Sequence, residues 1–294
     1  MGGKSPADRV LNHAMRNREL TMSDVFRIGG LELKAFSDGI LKTSTDFVLG
    51  MDQAQANALT GASADGAVYI PVNNFLFQKD GATVLIDAGA GDTMQATLGR
   101  LPGNLVAAGH ALDSITHIIL THIHPDHANG LVDASGAALF PNAEILVHAE
   151  EFDFWMADND GSESDKIRAQ RARNRINLKP YLDRVRRMRD GEVMVGCTPM
   201  MAPGHSPGHT CWRIGTGKNA FVAWGDLVHF SDIQIAHPDS TVKYDLDPDL
   251  ARRSRLRMLD MVANEGLAVA GAHVAAPGLG YLSRKGTGYV YNPV

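Results

Sequence analysis

Apolar residues in this sequence occur in short runs, and polar residues that suit metal binding follow several of these runs. The run at residues 115–120 is rich in β-branched and bulky side chains and predicts a buried strand. Other strands or hairpins are predicted at residues 25–39, 67–81, 83–87, 143–148, 193–199, 212–214, 220–224, 268–271 and 281–291. Helices are predicted at residues 8–20, 93–109 and 247–263, the last with Asp247 as its N-cap.

Composition narrows the class of protein. The chain has 294 residues, 44% hydrophobic and 21% charged, which is enough for a substantial core. Its net charge of −5 gives no overall attraction to nucleic acid or to anionic membranes, so neither is expected as a partner. We recognise no membrane span and no secretory signal, and a cytoplasmic location is the default expectation. The two cysteines, Cys197 and Cys211, are predicted to be buried free thiols.

The segment at residues 121–130, THIHPDHANG, places four metal-binding side chains within six positions. His122 and His124 share one face if the chain is still extended there. A proline then turns the chain, so Asp126 and His127 leave on the other side. Imidazole and carboxylate are ligands that Zn²⁺ and its first-row neighbours prefer, and this arrangement offers two donors to each of two ions.

Later parts of the chain must complete such a site, and three segments qualify. A Gly/Pro loop at residues 202–210 offers His205 and His209, an apolar strand ends at Asp226, and another ends at His273. Ligands at the ends of several strands are typical of sites that α/β folds assemble from distant sequence. Because the donors are interleaved along the chain, we predict a single domain at residues 26–294, preceded by an N-terminal arm at residues 1–25.

His122, His124, Asp126 and His127, followed in order by His205, Asp226 and His273, resemble the ligands of the metallo-β-lactamase superfamily. Within it, the chain is similar to the methyl parathion hydrolase-like group, close to the acyl-homoserine lactonases. The segments that carry this likeness are FSDG at 36–39, LIDAGAG at 85–91, TLGR at 97–100, HAEEFDFWM at 148–156, GHSPGHT at 204–210 and the tail 272–294. The resemblance implies an α+β fold, a four-layer αββα sandwich with the metals at one edge.

The resemblance also implies how the donors are divided. His122, His124 and His205 would bind one ion, Asp126, His127 and His273 the other, and Asp226 would bridge them. The cofactors are then two divalent ions, with zinc expected and iron, manganese or cobalt as alternatives. Asp126 and Asp226 are the candidate catalytic residues, since Asp226 bridges the ions and Asp126 can help to move a proton.

Several residues are candidates for supporting roles. By resemblance, Asp87 is a carboxylate that orients a ligand histidine, although a turn-capping role is the alternative. Trp155 lines the pocket above the metals or packs in the core. His209 is expected to be a supporting or structural histidine, and His229 is of interest because it follows Asp226 closely.

The substrate pocket departs from that of the phosphotriester degraders in the resembling family. Their aromatic cluster corresponds here to Met94, Gln170 and Arg171, while Trp155 is kept, and this disfavours neutral aromatic phosphotriesters. Residues 165–190 are rich in arginine and lysine. They form either a solvated helical face with a contact in a homodimer, or a cationic mouth that selects an anionic substrate.

These observations favour a dinuclear hydrolase in which a hydroxide shared by the two ions attacks a small lactone or carboxylic ester. The first alternative is an organophosphate triester as substrate. An iron persulfide dioxygenase, a nuclease and a non-catalytic binding protein are further alternatives. A dioxygenase usually lacks part of the second half-site, whereas all seven ligands are present here.

Overall fold

The computed structural model describes residues 25–158, 161 and 163–294. The strands are β1 Val25–Ile28, β2 Leu31–Ser44, β3 Val48–Leu49, β4 Ala67–Lys79, β5 Ala82–Ile86, β6 His117–Ile119, β7 Glu144–His148, β8 Val185–Met188, β9 Cys197–Met201, β10 Thr210–Ile214, β11 Phe221–Ala223, β12 Thr241–Val242, β13 Ala268–Ala270, β14 Leu279–Lys285 and β15 Gly288–Pro293. The helices are α1 Gln53–Thr60, α2 Leu101–Ala107, α3 Pro125–Ala128, α4 Ala149–Met156, α5 Asp165–Leu178, α6 Ser231–Gln234 and α7 Pro248–Glu265. The predicted helix at 8–20 and the arm up to residue 24 lie outside the described residues.

The strands form two large sheets and one small one. The first has the order β1-β2-β4-β5-β6-β7-β8, and the second has the order β15-β14-β13-β11-β10-β9. Strands β5, β6, β7 and β8 run parallel in the first sheet, and β11 and β13 run parallel in the second. The carboxyl ends of parallel neighbours meet at one edge, so both sheets direct the loops after these strands to a common region.

Alternate side chains of the strands form the core between the two sheets. Phe75, Phe77 and Ile119 of the first sheet pack in one buried cluster with Trp212 and Phe221 of the second. Neighbouring positions on the same strands point to the opposite side, as the two-residue period of a strand requires. Each sheet therefore has a second face that is directed away from this core.

Helices cover the outer faces. Leu101 of α2, Trp155 of α4 and Leu178 of α5 pack with Leu85 and Ile118 on the outer face of the first sheet. Met258, Leu259 and Val262 of α7 pack with Val222 and Val269 on the second. The predicted αββα sandwich is confirmed.

A small module lies beside the edge where the loops converge. Strands β3 and β12 pair antiparallel, and Val48, Val242, Phe230 and Ile233 form its buried cluster with α1 and α6. This module holds Phe47 and the segment after β12 next to the loops described below.

The predicted helix at 93–109 is wrong over its first half, because only α2 is helical there. Gly99 has φ +80°, and a Cβ at this position would come 2.2 Å from the carbonyl oxygen of Gly91. A left-handed glycine packed against another loop cannot continue a helix. The strand predicted at 193–199 begins later, at Cys197.

Two further expectations concern the core and the membrane. Cys197 and Cys211 are buried and unpaired, as predicted. Within the described residues, no helix combines the length and apolarity that a bilayer crossing requires.

Candidate metal centre

The first four donors lie at the carboxyl end of β6. His122 is fully buried behind the strand, and His124 is still extended, with φ −85° and ψ 163°. The next residue is the proline that begins α3, so Asp126 and His127 lie in the first turn of that short helix. The loop therefore directs two imidazoles one way, and a carboxylate and an imidazole another way.

The remaining donors come from the second sheet. His205 lies in the loop between β9 and β10, Asp226 lies in a turn just after β11, and His273 follows β13. All three side chains are at most 4% exposed. Because β11 and β13 are parallel neighbours, their carboxyl ends bring Asp226 and His273 to the same edge.

One set of donor atoms consists of His122, His124, His205 and Asp226, all within 4.8 Å of one another. Asp226 Oδ2 lies 3.6 Å from His122 Nε2 and 3.3 Å from His205 Nε2. His124 Nδ1 lies 2.7 Å from His205 Nε2. Three imidazoles and one carboxylate oxygen thus surround a single point.

A second set consists of Asp126, His127, Asp226 and His273. Asp226 Oδ1 lies 2.9 Å from His127 Nε2 and 3.1 Å from His273 Nε2. Asp126 Oδ2 lies 3.6 Å and 3.5 Å from the same two nitrogen atoms. Asp226 therefore belongs to both sets, with one oxygen facing each.

Polar atoms at the centre of these sets lack hydrogen-bond partners. His122 Nε2, His127 Nε2 and Asp226 Oδ1 are all buried without one. Buried polar atoms are nearly always paired, so unpaired atoms that converge on one point are typical of a site that binds a ligand. Imidazole nitrogen and carboxylate oxygen fit a divalent transition metal, and the residues present therefore fit such an ion in each set.

Burial and neighbouring charges divide the histidines into two kinds. Burial, together with nearby imidazoles, holds the pKa of His122 and His124 well below the usual range, so each keeps a neutral ring. Burial also opposes the charged form of His127, but the carboxylates of Asp226, Asp126 and Asp87 raise its pKa well above that range. Burial likewise opposes the charged form of His205 in the first set, but Asp226 and Asp245 raise its pKa to about 9. Positive charge is therefore favoured on both sides of Asp226.

Further groups hold the donor rings in place. Asp87 Oδ2 lies 2.8 Å from His127 Nδ1, and the same carboxylate accepts from the backbone N–H and hydroxyl of Thr121. Because an ionised carboxylate only accepts, Nδ1 of His127 carries a proton, and Nε2 is the atom that would bind a metal ion. Asp245 Oδ1 lies 3.1 Å from His205 Nδ1 and fixes that ring in the same way.

His209 and His229 both contact Asp226. His209 Nε2 accepts the backbone N–H of Asp226 at 3.0 Å, and its Nδ1 donates to the carbonyl of Ala202 at 3.1 Å. Burial lowers the pKa of His209 to about 3, which keeps this acceptor neutral. His229 Nε2 lies 3.0 Å from Asp226 Oδ2, and its ring lies between those of Tyr244 and His273.

A cavity of about 390 Å³ opens above the donor sets. Donor residues form its floor. Its remaining walls consist of Leu41, Lys42, Thr43, Phe47, Met94, Gln95, Pro125, Lys166, Gln170, His229 and Tyr244. Phe47 and Tyr244 are stacked, with ring centroids 4.6 Å apart.

Two predicted pocket residues lie elsewhere. Trp155 is fully buried beneath His124, edge-on at 5.5 Å between ring centroids, and donates its Nε1–H to Glu151. Arg171 is 5% exposed, pairs with Glu163 and does not line the cavity. The arginine-rich segment contributes Lys166 and Gln170 to the described wall instead, because α5 turns Arg171 towards α4.

Sequence reasoning missed Asp245, Glu151 and Tyr244. Asp245 and Tyr244 follow a two-residue strand in a polar loop that carries no metal-binding spacing. Glu151 stands in the HAEEFDFWM segment, but an acidic residue in a helical first turn resembles an ordinary solvated one. Its full burial could not be inferred from the sequence.

The sequence of this chain matches a known protein family. The family model of the metallo-beta-lactamase superfamily matches residues 68–273. The chain belongs to this superfamily. An N-acyl homoserine lactonase of Bacillus thuringiensis is 26% identical over 215 residues, which cover 67% of this chain and 78% of that protein.

Two solved structures are similar over nearly their whole length. AidC, a dizinc quorum-quenching lactonase in complex with a product, is 28% identical with a TM-score of 0.85, and the match covers 94% of this chain and 98% of AidC. AbOPH, a hydrolase in the beta lactamase superfamily, is 27% identical with a TM-score of 0.85, over 92% and 96% of the two chains.

Proposed function

We propose that the protein is a dinuclear metal-dependent hydrolase that cleaves a small lactone or carboxylic ester. The observation that carries this proposal is the pair of buried donor sets that share Asp226 at the floor of the cavity. A single-ion site would not need a carboxylate with one oxygen directed to each set. Similarity to N-acyl homoserine lactonases, one of them a dizinc enzyme, supports a lactone as substrate and zinc as metal.

The residues of the chain divide the work as follows. His122, His124 and His205 would hold one ion, Asp126, His127 and His273 the other, and Asp226 both. When bound, the two cations supply an acidified water and an electron-withdrawing centre for the carbonyl oxygen of the substrate.

Asp126 is the candidate for moving the proton. Its Oδ2 faces the second donor set, and the residue lines the cavity, so its carboxylate lies beside the space where a substrate would bind. A carboxylate there can take a proton from the attacking water and deliver it to the leaving alkoxide. No serine or cysteine nucleophile is required.

The cavity supports a small substrate that has both apolar and polar parts. Its volume of about 390 Å³ lies in the range typical of small-molecule sites. Leu41, Phe47 and Met94 give its wall an apolar surface, while the side chains of Lys166 and Gln170 add polar groups to that wall. Trp155 does not enlarge an aromatic wall, which favours lactone or ester over a neutral aryl phosphotriester.

The test compares metal content and turnover. The protein is purified with zinc, its metals are counted, and N-hexanoyl homoserine lactone, an aryl acetate and an aryl phosphotriester are assayed. We expect two ions per chain and the highest kcat/KM on the lactone or the ester. A highest rate on the phosphotriester would favour the organophosphate alternative, and a single iron per chain would favour a dioxygenase. Negligible rates on all three substrates in metal-loaded protein would contradict the proposal.

A further inference from the structure

Glu151 is a fully buried carboxylate that belongs to neither donor set. It lies in the first turn of α4, beneath the loops that carry the donors. A buried charge is costly unless hydrogen bonds satisfy it, so its partners indicate what it is for.

Four donors satisfy the carboxylate. Oε1 accepts the backbone N–H of Ile123 at 2.8 Å and the indole N–H of Trp155 at 2.7 Å. Oε2 accepts the hydroxyl of Ser206 at 2.6 Å and the backbone N–H of Gly208 at 3.0 Å. Each oxygen thus binds one backbone N–H and one side chain.

Ile123, Ser206 and Gly208 belong to the two loops that carry the histidines of the first donor set. Ile123 stands between His122 and His124, and Ser206 directly follows His205. One carboxylate therefore ties the loop of the first sheet to the loop of the second sheet at the points where they present their imidazoles.

We infer that Glu151 is a positioning residue for the first donor set. It fixes the spacing between the His122–His124 loop and the His205 loop, and it thereby determines how tightly the first donor set binds its metal ion. The inference rests on the proposed function, since it concerns a bound metal. Outer partners of metal ligands typically change affinity by about 10–100-fold when they are replaced.

The surrounding packing leaves the loops little freedom. A Cβ on Gly208 would come 2.1 Å from the backbone nitrogen of Glu151, so this loop lies directly on α4. The carbonyl of Ile123 accepts from the side-chain amides of Gln170 and Asn174, at 3.2 Å and 3.0 Å. Both backbone polar groups of the residue between the two histidines are therefore held.

The second donor set has a carboxylate of its own. Asp87 binds the backbone and hydroxyl of Thr121 and the ring of His127. Among the described residues, Glu151 makes no hydrogen bond to these groups. Loss of Glu151 should therefore affect the first set more than the second.

Replacement by glutamine is a sharp test because the shapes are nearly identical. Each oxygen of Glu151 accepts a backbone N–H, so the amide nitrogen of a glutamine would face an N–H donor in either orientation. One loop then loses its hydrogen bond and gains a repulsive contact. Glu150 is exposed and adjacent, and Glu150→Gln makes the same chemical change without these partners.

The experiment titrates Zn²⁺ into metal-free protein and measures both binding steps by calorimetry. Glu150→Gln should match the unchanged protein, whereas Glu151→Gln should weaken one step by about 10–100-fold and leave the other within about threefold. In a His273→Ala background, where only the first donor set is intact, Glu151→Gln should weaken the remaining step by a similar factor. Equal affinities for folded Glu151→Gln and Glu150→Gln would overturn the inference.

Circular dichroism shows whether each variant folds. If Glu151→Gln does not fold, Ser206→Ala decides, because it removes one of the four hydrogen bonds and leaves the carboxylate in place. It should weaken the same step several-fold, and an unchanged affinity would overturn the inference. Failure of the proposed function is a separate result, since the unchanged protein would then bind fewer than two ions or cleave none of the esters.

Discussion

Among single residues, Asp226 is notable because it belongs to both donor sets. Its two oxygens face different donor sets, and its backbone N–H is held by the neutral ring of His209. Burial alone would raise the pKa of Asp226, but the surrounding histidines, His127 first, hold it well below the usual range. A carboxylate that stays ionised here suits two cations.

We expect Asp226→Asn to impair both binding steps for Zn²⁺, because an amide presents one oxygen and carries no charge. Each affinity should fall by more than about 100-fold, since loss of an outer partner alone costs about 10–100-fold. Calorimetric titration and counting of bound metal check this. An Asp226→Asn variant that keeps one ion at full affinity would show that the two sets do not share the carboxylate.

At the scale of elements, the loop before α2 shows what local sequence could not predict. Asp38 is the extra residue of a β-bulge in β2, and its buried carboxylate accepts the backbone N–H groups of Ala90, Gly99 and Leu101. These bonds fix residues 90–100 as a loop, although a helix was predicted from residue 93 onwards. A partner more than 50 positions away in the sequence decided the structure.

Asp38→Asn should destabilise the protein by about 1–3 kcal/mol, because the amide nitrogen would face a backbone N–H that the carboxylate now satisfies. The same loop carries Met94 and Gln95 of the cavity wall, so KM should rise as well. Urea denaturation and steady-state kinetics measure the two effects. Asp113→Asn, an exposed aspartate after α2, is the matched control, and equal stability of the two variants would contradict the interpretation.

The N-cap of α4 is a histidine, so the stability of this helix should depend on pH. His148 is buried, and its Nδ1 accepts the backbone N–H of Glu150 at 3.2 Å, which requires an unprotonated nitrogen. Burial lowers the pKa of His148 below its usual value, against the weaker influence of Asp190. The unfolded chain therefore binds the proton first, so stability from this group is complete above about pH 6.5 and is lost as the pH falls below that value.

Asparagine caps helices well and does not titrate, so His148→Asn isolates the effect. As the pH is lowered from about 7.5 to about 5.5, we expect the melting temperature of the wild-type protein to fall more than that of the His148→Asn variant. Other histidines titrate in both proteins and cancel in the difference. A difference that stays constant across this range would show that His148 is not the titrating group.

For the molecule as a whole, the sandwich was predicted through the resemblance to the metallo-β-lactamase superfamily that the donor motifs carry. A site at an edge where strand ends meet could be predicted from the pattern, because His122, Asp226 and His273 follow apolar runs, whereas His205 stands in a Gly/Pro loop. The partners Asp245 and Glu151 could not be predicted, since their roles depend on loops that meet only after the two sheets pack. Trp155 is an aromatic residue of the kind that often lines pockets, but the packing of α4 places its side chain in the core.

The candidate metal centre lies between the two sheets. Four donors come from the first sheet and His205, Asp226 and His273 from the second, so bound ions would join the two halves of the sandwich. A ligand that binds only the folded state at 100 times its Kd adds about 2.7 kcal/mol, and about 2–4 °C per kcal/mol is typical of domains near this size. Removal of the metals by a chelator should therefore lower the melting temperature by about 5–10 °C for each ion. Readdition of Zn²⁺ should restore it, while Asp226→Asn should respond to neither treatment. A chelated protein that loses its activity but melts at the same temperature would show that the ions do not stabilise the folded state.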